Sequence, residues 1–104
     1  MIHHVLFCKL APEIDGAQLE DMVRTSRSLL LKIPEVLSVR SGRNLDPDSD
    51  WPFFVAIEFE STTKKRTCEA DPVFLKFQKE VLTHAEKVFD MTFETDPSKS
   101  LKYS

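Results

Sequence analysis

The alternation of apolar and polar positions predicts a strand at the start of the chain. Over residues 2–10, His4 and Cys8 lie on one face and Val5 and Phe7 on the other. Further apolar residues (Ile2, Leu6 and Leu10) share the face of His4. Because both faces carry apolar side chains, we expect both faces of this strand to be largely covered.

A change from alternation to helical spacing then predicts a helix over residues 16–33. Asp15 and Gln18 have the spacing of a capping box at its start. Pro34 is expected to end the helix, because the residue before a proline is pushed out of the helical region. One stripe at helical spacing carries the residues expected to pack on a sheet, namely Leu19, Met22, Val23, Ser26, Leu29, Leu30 and Ile33.

Two strands with a polar turn between them follow the helix. They are predicted over residues 36–42 and 53–60, and the second has one continuous apolar face. That face consists of Phe53, Val55, Ile57 and Phe59.

The rest of the domain is predicted as helical segments and a last strand. Ser61 is expected to cap a short helix, and the pair Asp71-Pro72 is a strong start for another. The stripe of this second helix is expected to hold Phe74, Phe77, Gln78, Val81, Leu82 and Ala85. A fourth strand is predicted over residues 87–94, with Phe89, Met91 and Phe93 on one face.

This order of elements predicts an α+β, ferredoxin-like βαββαβ fold, in which a four-stranded antiparallel sheet carries its helices on one face. We expect one domain over residues 1–94, followed by a polar tail or dimer arm over residues 95–104. Helices cover only one face of the sheet, yet the first and third strands are apolar on both. An exposed apolar face of this size favours aggregation, so the pattern predicts a homodimer that pairs through the sheet face.

Composition narrows the function classes. The chain has 104 residues, with 14 Lys and Arg against 17 Asp and Glu, and a formal net charge of -3. We therefore expect neither nucleic acid nor an anionic membrane surface as a partner. No apolar run approaches the roughly 18 residues of a membrane-spanning helix. The start of the chain lacks a signal-peptide pattern, and its two cysteines build no disulfide framework, so we expect a cytoplasmic protein with reduced thiols.

Four segments of the chain together resemble the stress-responsive dimeric α/β-barrel (Dabb) family. These are HHVLFCKL, PEVLSVRSGRN, FFVAIEFES and DPVFLKFQKEV, and the resemblance covers roughly residues 2–94, nearly the whole chain. The resemblance implies the same ferredoxin-like unit. It also implies that two subunits pack sheet against sheet to form a barrel-like dimer.

The resemblance does not carry over the chemistry of the family's cyclases, such as olivetolic acid cyclase. Their pattern is a tyrosine, three residues, His-Pro, one residue and the catalytic histidine. Here Cys68 stands at the tyrosine position, Asp71 at the first histidine and Phe74 at the catalytic histidine. Both side chains that would perform ring closure are therefore replaced.

His4 is the main candidate for a functional side chain. A neutral imidazole in a partly apolar pocket can act as a general base or orient a ligand. A buried histidine that only satisfies a local hydrogen bond is the alternative. The family resemblance implies that this strand face points into a pocket between sheet and helices. The residues expected to line that pocket are His4, Leu6, Cys8, Met22, Ser26, Val55, Ile57, Cys68, Phe74 and Phe77.

Other polar groups give weaker signals. Asp46, Asp48 and Asp50 begin like a calcium loop, but Trp51 stands where the loop glycine is needed, so we expect a solvated turn. No pattern indicates a metal or a cofactor. Two arginines around the second strand, Arg40 and Arg43, are placed either to meet an anionic ligand or to pair with acidic side chains across a dimer.

Three functions are compatible with these observations. The first is a dimeric protein that binds a small hydrophobic ligand. The second is a cofactor-independent enzyme, resembling a polyketide cyclase or a monooxygenase, with His4 as its general base. The third is a structural, stress-associated assembly protein.

Overall fold

The sheet order confirms the predicted fold class. In this computed structural model, which describes residues 1–96 and 98, four antiparallel strands lie in the order β2-β3-β1-β4. The chain order of the elements is β1 (Ile2–Leu10), α1 (Gly16–Leu30), β2 (Ser38–Arg43), β3 (Phe53–Phe59), α2 (Thr62–Glu69), α3 (Pro72–Glu80), a 3-10 turn (Leu82–His84) and β4 (Ala85–Glu94).

The predicted helix starts are confirmed in atomic detail. The Asp15 carboxylate accepts from the Gln18 N–H at 2.8 Å, and the Gln18 side chain accepts from the Asp15 N–H at 2.9 Å. This reciprocal pair is the expected capping box of α1. Ser61 caps α2, and Asp71 caps α3 by accepting from the Val73 N–H at 2.8 Å. Local hydrogen bonding therefore sets where each helix begins.

Helix ends differ from the prediction. Helix α1 ends at Leu30 rather than at residue 33, and the chain tightens beyond it. The N–H of Ile33 donates to the carbonyl oxygen of Leu30 at 3.1 Å, a bond over three residues rather than four. Pro34 disfavours helical backbone before it, which explains the tighter turn. The Ile33 side chain still reaches the core, with 1% of its surface exposed.

The end of α3 was also predicted too far along the chain. The helix stops at Glu80, Leu82 lies in the 3-10 turn, and Ala85 is the first residue of β4. Strand β4 therefore begins two residues earlier than the spacing indicated. Ala85 pairs with Leu10 across the sheet, and this pairing gives it extended rather than helical backbone.

The two sheet faces have different surroundings. The inner face packs on α1 and α3, and it carries the buried apolar residues of β1 and β3 that the alternation predicted. On the outer face, Val5 and Phe7 of β1 stand opposite Met91 and Phe89 of β4. Phe89 and Phe93 are about half exposed on this face, at 52% and 50%. The outer face is thus apolar and uncovered by any helix of the described chain.

The described part of the predicted tail continues the sheet by one residue. The Thr95 N–H donates to the Met1 carbonyl oxygen at 2.9 Å, and the Met1 ammonium donates to the Thr95 carbonyl oxygen at 2.9 Å. The remainder of the predicted tail falls mostly on residues 97 and 99–104, which lie outside the described residues.

Candidate functional site

His4 lies on the inner face of the sheet and contacts a carboxylate of the neighbouring strand. Its Nε2 is 2.9 Å from Oδ2 of Asp90. In the strand register, His4 stands opposite Thr92 and Leu6 opposite Asp90, so the contact runs diagonally across β1 and β4. The imidazole is buried, with 4% of the residue exposed, whereas the Asp90 side chain is 58% exposed. The hydrogen bond therefore connects a buried imidazole with a carboxylate at the protein surface.

Hydrogen bonding assigns the proton of the His4 ring. An ionised carboxylate only accepts, so Nε2 carries the proton that Asp90 accepts. In the neutral ring Nδ1 is then an acceptor, and it is buried without a hydrogen-bond partner among the described residues. Leaving such a buried group unpaired costs about 1–3 kcal/mol. A histidine with one ring nitrogen held by a carboxylate and the other unpaired has the arrangement of the general base in a catalytic triad.

The other predicted pocket residues lie in the packed core. Met22 also lines a cleft of about 150 Å³ between α1 and the end of α3. Ser26 donates its hydroxyl proton to the Met22 carbonyl oxygen at 2.6 Å, so its polarity is used within α1. None of these residues is more than 4% exposed: Leu6, Cys8, Met22, Ser26, Val55, Ile57, Cys68, Phe74 and Phe77.

The positions of the absent cyclase residues belong to the same core. The rings of Phe74 and Phe77 lie 5.6 Å apart in a tilted arrangement. Burial raises the pKa of the Cys68 thiol to about 12, and the nearby carboxylates of Glu69 and Asp71 add to this rise. Burial alone raises the pKa of Cys8 to about 11. Both thiols are therefore protonated near neutral pH, which does not suit a nucleophile.

Asp90 is the site residue that the sequence prediction missed. Its parity on β4 is opposite to that of Phe89 and Met91, which places it on the inner face. The alternation along β4 was therefore enough to predict which face of the sheet carries Asp90. The contact with His4 depends in addition on β4 lying next to β1, and the two residues are 86 positions apart.

Two cavities of at least 320 Å³ lie away from His4. One, of about 430 Å³, lies at the end of the outer face between the loop after β2 and β4, where the Trp51 and Phe89 rings are 6.3 Å apart. The other, of about 320 Å³, lies between α1 and β2 and includes Arg27 and Arg43. For Arg43 the sequence left two roles open, contact with an anionic ligand or pairing with acidic side chains across a dimer.

Residues 1–96 and 98 contain neither a cluster of potential metal ligands nor a membrane-spanning helix. Within that part of the chain, no three His, Cys, Asp or Glu side chains are grouped so that they would hold a metal ion. No helix there is long and apolar enough to cross a membrane.

Solved structures with the same fold share little sequence with this chain. An Arabidopsis thaliana protein superposes with a TM-score of 0.81 at 16% identity, covering 92% of this chain and 96% of its own. The hydroxynitrile lyase of Passiflora edulis gives 0.80 at 18% identity, covering 92% and 94%. A dimeric ferredoxin-like protein of unknown function from Thermobifida fusca gives 0.80 at 16% identity, covering 90% of each chain.

At these identities the likeness shows the fold alone. A comparison with curated proteins gives no significant match. A family profile, described as the stress responsive A/B barrel domain, matches residues 2–95. With nearly its whole length matched, the chain belongs to the Dabb family.

Proposed function

We propose that this protein is a homodimer that binds a small, largely apolar molecule and anchors it on His4. The observation that carries the proposal is the buried Nδ1 of His4, which has no hydrogen-bond partner among residues 1–96 and 98. A ligand with one hydroxyl or amide N–H would donate to this nitrogen and remove the cost of leaving it unpaired. The apolar residues of the inner face would surround the rest of the ligand.

Strand β4 supports a route to this site. It is an edge strand, and its inner-face residues Val88, Asp90 and Thr92 are all exposed. Helix α1 packs mainly on β2 and α3 rather than on β4. A ligand would therefore approach along the exposed inner side of β4, past Asp90, and displace core side chains to reach His4. Rotamer changes of side chains at a binding surface are common.

Proton transfer is the second candidate, and the Asp90 carboxylate favours it. A carboxylate at 2.9 Å from Nε2 holds the tautomer and stabilises the imidazolium that forms when Nδ1 takes a proton. The substrate would then carry an acidic O–H or C–H. The Passiflora edulis protein of the same fold is a hydroxynitrile lyase, so the fold supports lyase activity in that protein. The cyclase reaction is not proposed, since Cys68 and Phe74 replace its tyrosine and histidine.

Native mass spectrometry of protein purified gently from its own source tests the ligand. We expect a dimer of about 24 kDa, twice the 12.0 kDa chain, with an added mass of about a few hundred daltons, typical of a pocket-sized ligand. His4→Phe should lose the adduct, whereas His84→Phe, at an exposed histidine outside the core, should keep it. A dimer without adduct, or an adduct retained by His4→Phe, would contradict the proposal.

Asp90→Asn separates binding from catalysis. Its side-chain oxygen still accepts from Nε2, but the negative charge is lost. If the released ligand is turned over by the wild type, Asp90→Asn should retain binding and lose about 10²-fold or more in rate. Equal rates in the two proteins would exclude the proton-transfer function.

The apolar outer face supports the homodimer. Phe89, Met91 and Phe93 stand exposed in a row on β4. Sedimentation velocity on Phe93→Asp should show a monomer, because a charge buried between two sheets is costly. Leu45→Asp is the matched control, since Leu45 is 95% exposed in the loop after β2. A dimer in both variants would place the interface elsewhere.

A further inference from the structure

We propose that the cleft between α1 and β2 binds a small amphipathic anion, an organic carboxylate with one apolar group, through Arg27 and Arg43. The cleft measures about 320 Å³. It lies at the β2 edge of the sheet, whereas His4 lies two strands away beside β4, so this site is separate from the proposed ligand site. Besides these two arginines, the cleft is lined by Leu19, Glu20, Val23, Arg24 and Gly42.

Two guanidinium groups in the cleft have no counter-ion among residues 1–96 and 98. Arg24 is occupied, because its Nη2 donates to Oδ1 of Asp21 at 2.6 Å. Arg27 and Arg43 make no side-chain hydrogen bond or ion pair within the described chain. In a protein whose formal net charge is -3, these two exposed arginines line one cleft from different elements and form a local positive site.

The guanidinium group selects the anion. Its planar fork donates two parallel hydrogen bonds to a carboxylate, which a lysine ammonium does not do. Arg27 comes from the last turn of α1 and Arg43 from the end of β2. Two forks from a helix and a strand would hold one carboxylate from two directions.

An apolar wall selects the rest of the ligand. Leu19 and Val23 are half-buried and line the same cleft on the α1 side. An anion without carbon atoms would leave this wall in water, whereas a ring or short chain would cover it. The volume is at the lower end of the roughly 300–1,000 Å³ of small-molecule sites, so it suits a single ring.

Titration of the ¹⁵N-labelled full chain with sodium benzoate tests the proposal. We expect saturable shifts of the Leu19 and Gly42 amides, weakened about tenfold or more in the double variant Arg27→Gln/Arg43→Gln. Arg66→Gln, an exposed arginine on α2, should bind as the wild type does. His4→Phe should also bind benzoate normally, because the two sites are independent. The same spectra show that each variant is folded.

Two further probes decide the ligand class. Benzyl alcohol has the ring without the charge, and inorganic phosphate has the charge without the ring; both should bind about tenfold or more weakly than benzoate. Equal binding of benzyl alcohol would overturn the role of the arginines, and equal binding of phosphate would overturn the amphipathic class. Absence of saturable shifts at about 20 mM benzoate, or unchanged affinity in the double variant, would overturn the site itself.

Discussion

The coupling between His4 and Asp90 is measurable as a free energy of unfolding. Asp90→Ala leaves the buried Nε2–H of His4 without its acceptor 2.9 Å away. Hydrogen bonds to charged groups contribute about 1.5–3 kcal/mol. Because Asp90 is 58% exposed, water partly replaces it, so we expect a loss of about 1–2 kcal/mol. For a domain of this size that lowers the Tm by about 4–8 °C per kcal/mol.

His4→Phe should cost much less than an ordinary core substitution. It removes the donor and also the unpaired Nδ1, which relieves a penalty of about 1–3 kcal/mol. The slightly larger ring adds an overpacking cost of similar size, so the net change should lie within about 1 kcal/mol of zero. In this background Asp90→Ala should cost almost nothing, and the double-mutant cycle should give a coupling of about 1–2 kcal/mol.

Urea denaturation of the four proteins at one fixed concentration gives these values, since dimerisation makes stability depend on concentration. Two results would refute the reasoning. A loss above about 3 kcal/mol in His4→Phe would show that Nδ1 has a structural partner. An equal cost of Asp90→Ala in both backgrounds would show that the carboxylate stabilises the fold without contacting His4.

The remaining predictions concern the core and the thiols. Val55→Asp buries an unpaired charge and should cost about 3 kcal/mol or more in urea denaturation, whereas Thr63→Asp on exposed α2 should change stability by less than about 0.5 kcal/mol. Wild-type stability of the Val55→Asp variant would refute the assignment of Val55 to the buried inner face. Cys8 and Cys68 should resist alkylation by iodoacetamide at pH 8 until the protein is unfolded, and rapid labelling of the native state would contradict their burial. Because the folded pKa of Cys8 is raised to about 11 from an ordinary 9.0, only the unfolded chain loses this proton above pH 9, so stability should fall between pH 9 and 11. If the wild type lost no more stability than Cys8→Ser between pH 9 and 11, this prediction would be wrong. Phe74→His should give no cyclase activity, since the tyrosine position would still hold Cys68; ring closure of a linear polyketide by this variant would refute that reasoning.

Local signals in the sequence identified where elements begin and which residues share a face. The capping pair Asp15 and Gln18 and the start Asp71-Pro72 act within four residues, so the structure reproduces them without help from distant contacts. The period of two along β3 likewise placed Val55 and its neighbours on the buried face. Helix ends were less predictable, because the turn after Leu30 and the start of β4 depend on Pro34 and on pairing with β1.

What the sequence by itself determined is therefore the fold class, the two-faced sheet and the place of His4 on its inner side. Only the tertiary structure decided what stands beside each of these residues. His4 meets Asp90 because β4 pairs with β1, and Arg27 meets Arg43 at one cleft because α1 packs on β2. Periodicity records the direction of a side chain relative to its own element. The neighbour in that direction is set by strand order and register, which join residues far apart along the chain.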